Sequence, residues 1–312
     1  EQIQTIDFDD MPWIPVVHKR LRNHIDKFMY LLVDEAQDLN NCQVAFIKMM
    51  VYDEGKIIAV GDRKQSLYGF RGADTEAIPN LIKMLNAEVL PLSISYRCPK
   101  SHIELAKQIV PQIESSENAI EGILGNIKYN DFLQKVEAGD MVICRTNAPL
   151  VKPAFEVIRK GKKAIIRGKD IGSQLINFVQ RFNAIDLSTL EVLMNEFTAK
   201  EMNRFIDKGK MMQASLIEDK TKTILEISKE CSSVPELTQK LEMLFSDSNV
   251  GVVFSSVHRA KGLEAERVFI LHAELMPHPK ATQDWEIEQE SNAKYVALTR
   301  SKNELYFVTG EK

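Results

Sequence analysis

Cysteine is scarce in this chain: its 312 residues include four cysteines, at positions 42, 98, 144 and 231, and none of them forms a C-x-x-C pair. Structural zinc sites usually take closely spaced cysteine pairs, and small disulfide-stabilised folds need a denser cysteine pattern. The sequence therefore argues against a zinc site and against a disulfide framework. A reducing, intracellular compartment fits this cysteine usage best.

Long apolar runs and an excess of positive charge are also absent. No apolar run approaches the roughly 18 residues of a membrane-spanning helix, so we expect no membrane partner. The chain opens with Glu1 and Gln2 rather than with a basic and then hydrophobic targeting segment, and the missing initiator methionine predicts a trimmed or processed start. Lys and Arg total 40 against 44 Asp and Glu, so a nucleic-acid groove would have to be a local basic surface.

What is present is an ordinary enzyme composition, with 44% hydrophobic and 27% charged residues in a chain long enough for two domains and an insertion. Short apolar runs typical of buried strands alternate with helical patterns. This alternation predicts the α/β class, with parallel sheets covered on both faces. From 172 to 247 the strand pattern stops, which predicts a helical insertion. The predicted strands are 29–33, 56–60, 89–93, 141–145, 251–255, 267–271 and 304–308.

Acidic residues follow the first predicted strand directly, where residues 34–38 read DEAQD. Ligands of open α/β sheets bind at the carboxyl ends of the strands. An Asp at a strand end can hold Mg²⁺, usually through water, while the adjacent Glu can orient or deprotonate an attacking water. Taken alone, the pentapeptide is as often a solvated acidic turn.

A loop with three glycines follows the second predicted strand, and residues 60–73 read VGDRKQSLYGFRGA. Glycines let the backbone approach a ligand closely, and Gln65 could sense a phosphate or the attacking water. Tyr68 and Phe70 offer flat faces on which nucleic-acid bases can stack. An isolated pair of this kind more often lies in a hydrophobic core.

The remaining patterns are rich in arginine. Residues 92–99 read LSISYRCP, in which Tyr96 can lie against an adenine ring and Arg97 can reach a γ-phosphate. Arg300 follows an apolar helical pattern, where a single arginine near a helix end is more often a surface residue. Lysines and arginines between 160 and 169 form a basic cluster that suits either a phosphate backbone or a solvated face.

Taken together and in this order, the patterns resemble the motifs of UvrD/Rep-like superfamily 1A DNA helicases. DEAQD resembles the Walker B element of that family, residues 60–73 resemble the third helicase motif, and SYRC resembles an N-Y-R-S element. Residues 253–264 read VFSSVHRAKGLE and resemble an H-x-A-K-G-L-E motif, 293–301 read AKYVALTRS and resemble the sixth motif, and 145–147 resemble another DNA-contacting element. Ser95 and Cys98 replace the usual Asn and Ser.

The resemblance implies a role for each matched residue. Asp34 would be the Mg²⁺ ligand and Glu35 the catalytic base, Gln65 would read the nucleotide state, and the arginines would reach the γ-phosphate. By the same resemblance, catalysis would rest on Glu35, Gln65, Arg97 and Arg300, nucleotide binding on Asp34, Gln37, Tyr96, Gly262 and Glu264, and DNA binding on Tyr68, Phe70, Arg71, Arg145, Asn147 and His258.

For the whole chain, the resemblance implies two RecA-like parallel-sheet domains with ATP and Mg²⁺ between them. We expect the first, incomplete domain at 1–88, the second at 89–171 and 248–312, and the helical insertion at 172–247. The implied activity is ATP-dependent translocation 3′ to 5′ on single-stranded DNA and unwinding at duplex junctions, with repair or replication proteins as further partners. The implied location is the cytoplasm and nucleoid, or a nucleus or viral factory.

A motor of this type needs a G-x-x-x-x-G-K-[ST] loop to hold the phosphates of ATP, and none of the 14 glycines begins that pattern. We therefore expect the first third of the motor to be missing. Two alternatives remain: a non-catalytic remnant that binds DNA or a partner, and the motor subunit of a helicase–nuclease repair complex. The intact Glu35, Gln65, Arg97 and Arg300 favour truncation of an active motor over a remnant.

Overall fold

The computed structural model describes residues 6–67, 77–248 and 250–310, and it divides the chain into two compact units, Glu1–Leu92 and Ser93–Lys312. The first unit pairs two strands in parallel, with Val33 opposite Ala59 at their carboxyl ends. Its elements in chain order are α1 (Asp10–Val17), β1 (Phe28–Val33), α2 (Asn41–Met49), β2 (Val51–Ala59) and α3 (Ala77–Leu85).

The strands of the first unit are apolar yet largely exposed. Tyr30 and Leu32 of β1 are 67% and 74% exposed, and Ile58 of β2 is exposed as well. Parallel strands normally carry such residues because both of their faces are covered. The small core of this unit lies to one side, where Ala36, Val44 and Leu81 pack together. The first unit therefore buries only part of the apolar surface that its sequence provides.

The second unit is built on a seven-stranded sheet in the order β5-β11-β10-β6-β9-β7-β8, and all its strand pairs are parallel. The elements in chain order are β3 (Ile94–Ser95), α4 (Lys100–Ala106), β4 (Glu114–Ser115), β5 (Ile123–Lys128), α5 (Tyr129–Lys135), β6 (Met141–Cys144), α6 (Ala148–Arg159), β7 (Ala164–Arg167), α7 (Lys169–Gln180), α8 (Leu187–Ile206), α9 (Met211–Ser228), α10 (Val234–Leu244), β8 (Phe245–Ser246), β9 (Val252–Ser256), α11 (Val257–Ala260), β10 (Ala265–Ile270), α12 (Asp284–Leu298) and β11 (Ser301–Thr309).

The core of the second unit explains why its central strands are continuously apolar. Every residue of β6 and β9 is buried, as expected for strands covered by helices on both faces. Phe132, Phe254 and Phe269 have no exposed surface, and burying each ring contributes roughly 1.5–3 kcal/mol relative to leaving it in water. The parallel sheet confirms the predicted α/β class and is consistent with a RecA-like domain.

Helices α8, α9 and α10 occupy most of the segment that the sequence predicts as a helical insertion. Asp186 and Ser233 cap α8 and α10 by accepting backbone N–H groups, the usual way to satisfy the first turn of a helix. Thr198 and Thr221 join α8 to α9 by a buried hydrogen bond of 2.6 Å. The segment also contains β8, which the sequence-based prediction missed.

One predicted strand is wrong. Residues 89–93 form no strand, and Val89, Leu90 and Leu92 are exposed. An apolar run becomes a strand only where a neighbouring strand accepts its hydrogen bonds. The nearest paired residues are Ile94 and Ser95, which form β3 and pair with Glu114 and Ser115 of β4. Among the described residues, no helix is both long and apolar enough to cross a membrane.

Candidate functional site

The acidic turn of the first unit begins where β1 ends. Asp34 accepts the backbone N–H of Glu35 through Oδ1 at 2.8 Å, and Glu35 lies in the left-handed region with φ 52°. Such a conformation costs free energy in a residue other than glycine and is common at functional sites. The chain then forms a 3₁₀ turn at Ala36–Asp38. The two adjacent carboxylates thus have different hydrogen-bond partners, because Asp34 accepts the backbone N–H of Glu35 and Glu35 accepts the side-chain amide of Gln37.

Asp34 is suited to bind Mg²⁺ by its position in the chain and by one of its carboxylate oxygens. It is exposed at the carboxyl end of a parallel strand, and its Oδ2 has no hydrogen-bond partner among the described residues. Mg²⁺ usually takes one or two carboxylates and completes its octahedron with water and phosphate oxygens. Asp34 could therefore hold the ion of a Mg–nucleotide complex, and this role stays a prediction.

Gln37 ties the acidic turn to the glycine-rich loop. It is 2% exposed, its Nε2 donates to Oε2 of Glu35, and its Oε1 accepts the backbone N–H of Asp62 at 3.0 Å. Asp62 in turn accepts Nε2 of Gln65 through Oδ2 at 2.9 Å. The structure thus brings Glu35, Gln37 and Gln65 together in one hydrogen-bonded chain.

Three of the predicted DNA-binding residues, Tyr68, Phe70 and Arg71, lie outside the described residues. The loop is described up to Leu67, which is fully buried. Stacking by Tyr68 and Phe70 therefore stays a prediction.

In the second unit, the other predicted DNA-binding residues follow two neighbouring strands. Cys144 and Ser256 are opposite each other at the carboxyl ends of β6 and β9. Arg145 comes directly after β6, Asn147 comes two residues later, and His258 comes two residues after β9. The register therefore puts all three at the same edge of the sheet, where α/β proteins bind ligands.

Arg145 is engaged inside the protein. Its Nε lies 2.8 Å from Oε2 of Glu290 on α12, and a second guanidinium nitrogen bonds to Oε1. Both side chains are buried, and the same carboxylate accepts the backbone N–H of His278 at 2.9 Å. The bidentate geometry satisfies the guanidinium at the cost of desolvating both charges. A DNA contact by Arg145 stays a prediction, and it would require this ion pair to open.

Asn147 stands at the N-cap of α6, and Asp219 of α9 caps the helix from outside. The two carboxylate oxygens of Asp219 accept the backbone N–H groups of Asn147 and Ala148, each at 3.0 Å. An acidic group at this end also interacts favourably with the helix dipole. The cap links the helical insertion to the strand end that carries the predicted DNA-binding residues.

The predicted nucleotide-binding residues of the second unit gather at the opposite edge of the sheet. Ala265 and Ser301 are opposite each other at the amino ends of β10 and β11. Glu264 and Arg300 directly precede these two residues, so they come from neighbouring positions at this edge of the sheet. Nε of Arg97 lies 2.7 Å from Oε2 of Glu264, and Lys302 pairs with the other carboxylate oxygen. Hydrogen bonding by Lys302 and the charge of Arg97 hold the pKa of Glu264 below its usual range.

Arg300 is the most buried of these cations, with 1% of its surface exposed. Its guanidinium donates to the carbonyls of Val296 (2.9 Å) and Leu263 (3.2 Å) and to Oγ1 of Thr299 (3.0 Å). Within the described part of the chain, no carboxylate pairs with it. Desolvation, with repulsion from Arg97, lowers the pKa of Arg300 to about 10. Among the described residues, the hydrogen-bond acceptors of this buried charge are therefore all neutral groups.

Further predicted residues lie close in sequence to Arg97 and Glu264. Tyr96 is 83% exposed, whereas Cys98, two residues later, is buried and donates from Sγ to the carbonyl of Thr299 at 3.5 Å. Gly262 adopts φ 77°, and a Cβ built there would meet nothing within 4 Å. This glycine is therefore required by backbone conformation rather than by space. The nucleotide roles of Tyr96 and Gly262 stay predictions.

Sequence reasoning missed three residues of these sites. Glu290 and Asp219 engage Arg145 and Asn147 from helices far along the chain, and no motif marks either of them. Lys302 follows Arg300 by two residues, where its charge alone gave no signal.

Comparisons with known proteins agree with the order of the motifs. Residues 1–86 match the family model of the UvrD/REP helicase N-terminal domain, and residues 251–308 match that of the UvrD-like helicase C-terminal domain. DNA helicase II of Escherichia coli strain K12 is 38% identical over 94 residues, which are 29% of this chain and 13% of that protein.

Two further relatives are described as ATP-dependent DNA helicases. PcrA of Staphylococcus epidermidis strain RP62A is 30% identical over 167 residues, covering 51% of this chain and 22% of that protein. Rep of Buchnera aphidicola subsp. Acyrthosiphon pisum is 23% identical over 429 aligned positions, covering 97% of this chain and 66% of that protein. The matched stretches therefore span only part of each relative.

Proposed function

Because the chain belongs to the UvrD/Rep-like helicase family, we propose that it carries most of an ATP-driven motor that moves 3′ to 5′ on single-stranded DNA and unwinds duplex junctions. The observation that carries this proposal is the cluster of Arg97, Arg300 and Lys302 against the single carboxylate of Glu264. A buried guanidinium held by neutral groups is strongly stabilised by a phosphate, which arginine recognises better than other anion-binding side chains do.

The two units would divide the chemistry of hydrolysis between them. In the first unit, Glu35 would orient and deprotonate the attacking water, and Asp34 would hold the Mg²⁺ that neutralises phosphate charge. In the second unit, Arg97 and Arg300 would stabilise the charge that develops on the γ-phosphate. Hydrolysis would then require residues of both units.

DNA would be bound at the carboxyl edge of the seven-stranded sheet in the second unit and by the glycine-rich loop of the first unit. His258, Asn147 and Arg145 lie at that edge, at a distance along the strands from the cationic cluster at the amino edge. Because the proposed DNA-binding and nucleotide-binding residues lie at opposite edges of the sheet, the second unit could bind DNA and ATP at the same time. Repair and replication proteins are the further partners that we propose, in the cytoplasm and at the nucleoid.

We propose that the phosphate-binding loop is supplied by sequence outside these 312 residues, because no G-x-x-x-x-G-K-[ST] pattern occurs within them. We therefore expect the 312-residue chain alone to bind and hydrolyse ATP poorly, because the lysine and backbone amides of that loop hold the β- and γ-phosphates. Phosphate release from ATP, with and without single-stranded DNA, measures this directly. Robust DNA-stimulated hydrolysis by the 312-residue chain would refute the proposal that the motor is incomplete.

A second prediction concerns the aromatic residues of the loop. If Phe70 stacks on a base, Phe70→Ala in the complete motor should cost about 1–3 kcal/mol of single-stranded DNA affinity, with little dependence on base sequence. Binding to oligonucleotides and the melting temperature are measured on the same variant. Phe132→Ala is the matched control, because Phe132 is a fully buried core ring whose truncation should cost roughly 3–5 kcal/mol of stability. If Phe70→Ala behaves like this control and binds DNA normally, the stacking proposal is wrong.

A further inference from the structure

Gln37 has both ends of its amide in use inside the first unit. Nε2 donates to the Glu35 carboxylate, and Oε1 accepts the backbone N–H of Asp62 at 3.0 Å. A side-chain amide can donate to a carboxylate at one end and accept a backbone N–H at the other. A buried amide satisfied in this way is fixed in orientation, because any rotation would leave a buried polar atom without a partner.

The backbone around Gln37 is fitted to this arrangement. Gly61 brings the end of the second strand against the acidic turn, and a Cβ at this position would lie 2.7 Å from Oε1 of Gln37 and 3.1 Å from the backbone nitrogen of Ala36. The backbone N–H of Ala36 donates to the carbonyl of Val60 at 2.9 Å. The two segments are therefore held at close approach by backbone hydrogen bonds as well as by the amide.

The contact continues to Gln65. The backbone N–H of Asp62 donates to Oε1 of Gln37. One side-chain oxygen of Asp62 accepts Nε2 of Gln65 at 2.9 Å, and the other accepts the backbone N–H of Lys64 at 2.9 Å. A displacement of Gln65 would thus shift Asp62, and a displacement of Asp62 would in turn shift the side-chain amide of Gln37. Glu35 lies at the far end of this hydrogen-bonded chain.

We infer that Gln37 is a positioning residue, which fixes the Glu35 carboxylate and transmits the position of the Gln65 loop to it. The inference rests on the proposed function, in which Glu35 acts on water. It differs from a nucleotide contact by Gln37, for which one end of the amide would have to be released. Displacement of a catalytic carboxylate by about 1 Å can lower the rate of the catalysed reaction by roughly 100-fold. A positioning residue can therefore have a large effect on the rate without touching the substrate.

The test uses the complete motor with Gln37→Met, which keeps the side-chain length and removes both hydrogen bonds. We expect kcat for DNA-stimulated hydrolysis to fall by at least about tenfold, whereas KM for ATP should stay within about twofold. Gln37→Glu keeps an acceptor for the N–H of Asp62 and loses the donor to Glu35, so kcat should fall there also. If Gln37→Met does not fold, Gln37→Glu decides the outcome.

The control is Gln43→Met in the same unit. Gln43 closes the capping box of α2 with Asn40, so its loss removes a glutamine hydrogen bond without touching Glu35, and kcat should stay unchanged. Gln65→Ala should lower kcat in the otherwise unchanged motor and add little in the Gln37→Met background, since residues that act through one another are not additive.

Three results would overturn the inference: kcat within threefold for Gln37→Met, a rise in KM with kcat unchanged, or full additivity with Gln65→Ala. Failure of the proposed function would look different. The unchanged motor would then hydrolyse no ATP, or Glu35→Gln would leave its turnover intact.

Discussion

Glu35→Gln in the complete motor is expected to slow ATP hydrolysis by about 10²- to 10⁴-fold, which is the usual contribution of a general base, while ATP binding stays nearly intact. The physical reason is that the amide keeps the shape of the carboxylate but cannot take a proton from water. Glu35 suits this role because its carboxylate follows the strand-end Asp34 directly and accepts a hydrogen bond from the buried Gln37. Single-turnover hydrolysis and nucleotide titration measure the two quantities separately.

Glu54→Gln is the matched control for this prediction. Glu54 is an exposed carboxylate on β2 of the same unit, so its loss changes the charge of the unit equally and should leave kcat unchanged. A decrease of less than about threefold in kcat for Glu35→Gln would remove Glu35 from its proposed role.

Arg300→Met is expected to lower kcat by about 10³- to 10⁵-fold, the range found for arginines that stabilise phosphoryl-transfer transition states. The fold should survive this change. Arg300 is desolvated and held by three neutral acceptors. Removing a buried charge that has no salt-bridge partner among the described residues relieves a desolvation penalty of several kcal/mol, which offsets the lost hydrogen bonds. The melting temperature should therefore stay within a few degrees while turnover collapses.

Arg267→Met should show the opposite pattern. Nη2 of Arg267 lies 2.7 Å from Oδ2 of the buried Asp140, and removing one partner of such a pair costs about 3–5 kcal/mol. This variant should melt at a lower temperature and hydrolyse ATP normally when folded. If Arg300→Met instead loses stability and keeps its turnover, Arg300 serves the fold and not the γ-phosphate.

The sequence predicted the features that depend on local pattern. Apolar strands such as β6 and β9 are recognisable because burial on both faces requires uninterrupted hydrophobic residues. The acidic turn was recognisable because residues 34–38 follow a strand directly, and the resemblance then supplied a role for each of its residues. The parallel α/β class followed from the alternation of these patterns with helices.

Features that depend on distant partners could not be predicted. Nothing near Arg145 shows that Glu290 engages its guanidinium, and nothing near Asn147 shows that Asp219 caps its helix. The exposed run at 89–93 failed as a strand for the same reason, since strand formation needs a neighbour that the pattern does not reveal. Arg300 is buried although its sequence context favours a surface position, because the loop before β10 covers it through Leu263.

We propose that these residues belong to a motor whose ATP hydrolysis is coupled to the binding of single-stranded DNA. The most direct measurement is the rate of ATP hydrolysis by the complete motor, with the phosphate-binding loop present, as single-stranded oligonucleotide is added. We expect a low basal rate that rises to saturation with oligonucleotide and is abolished by Glu35→Gln. A rate that is unchanged by saturating oligonucleotide, or that persists in Glu35→Gln, would contradict it.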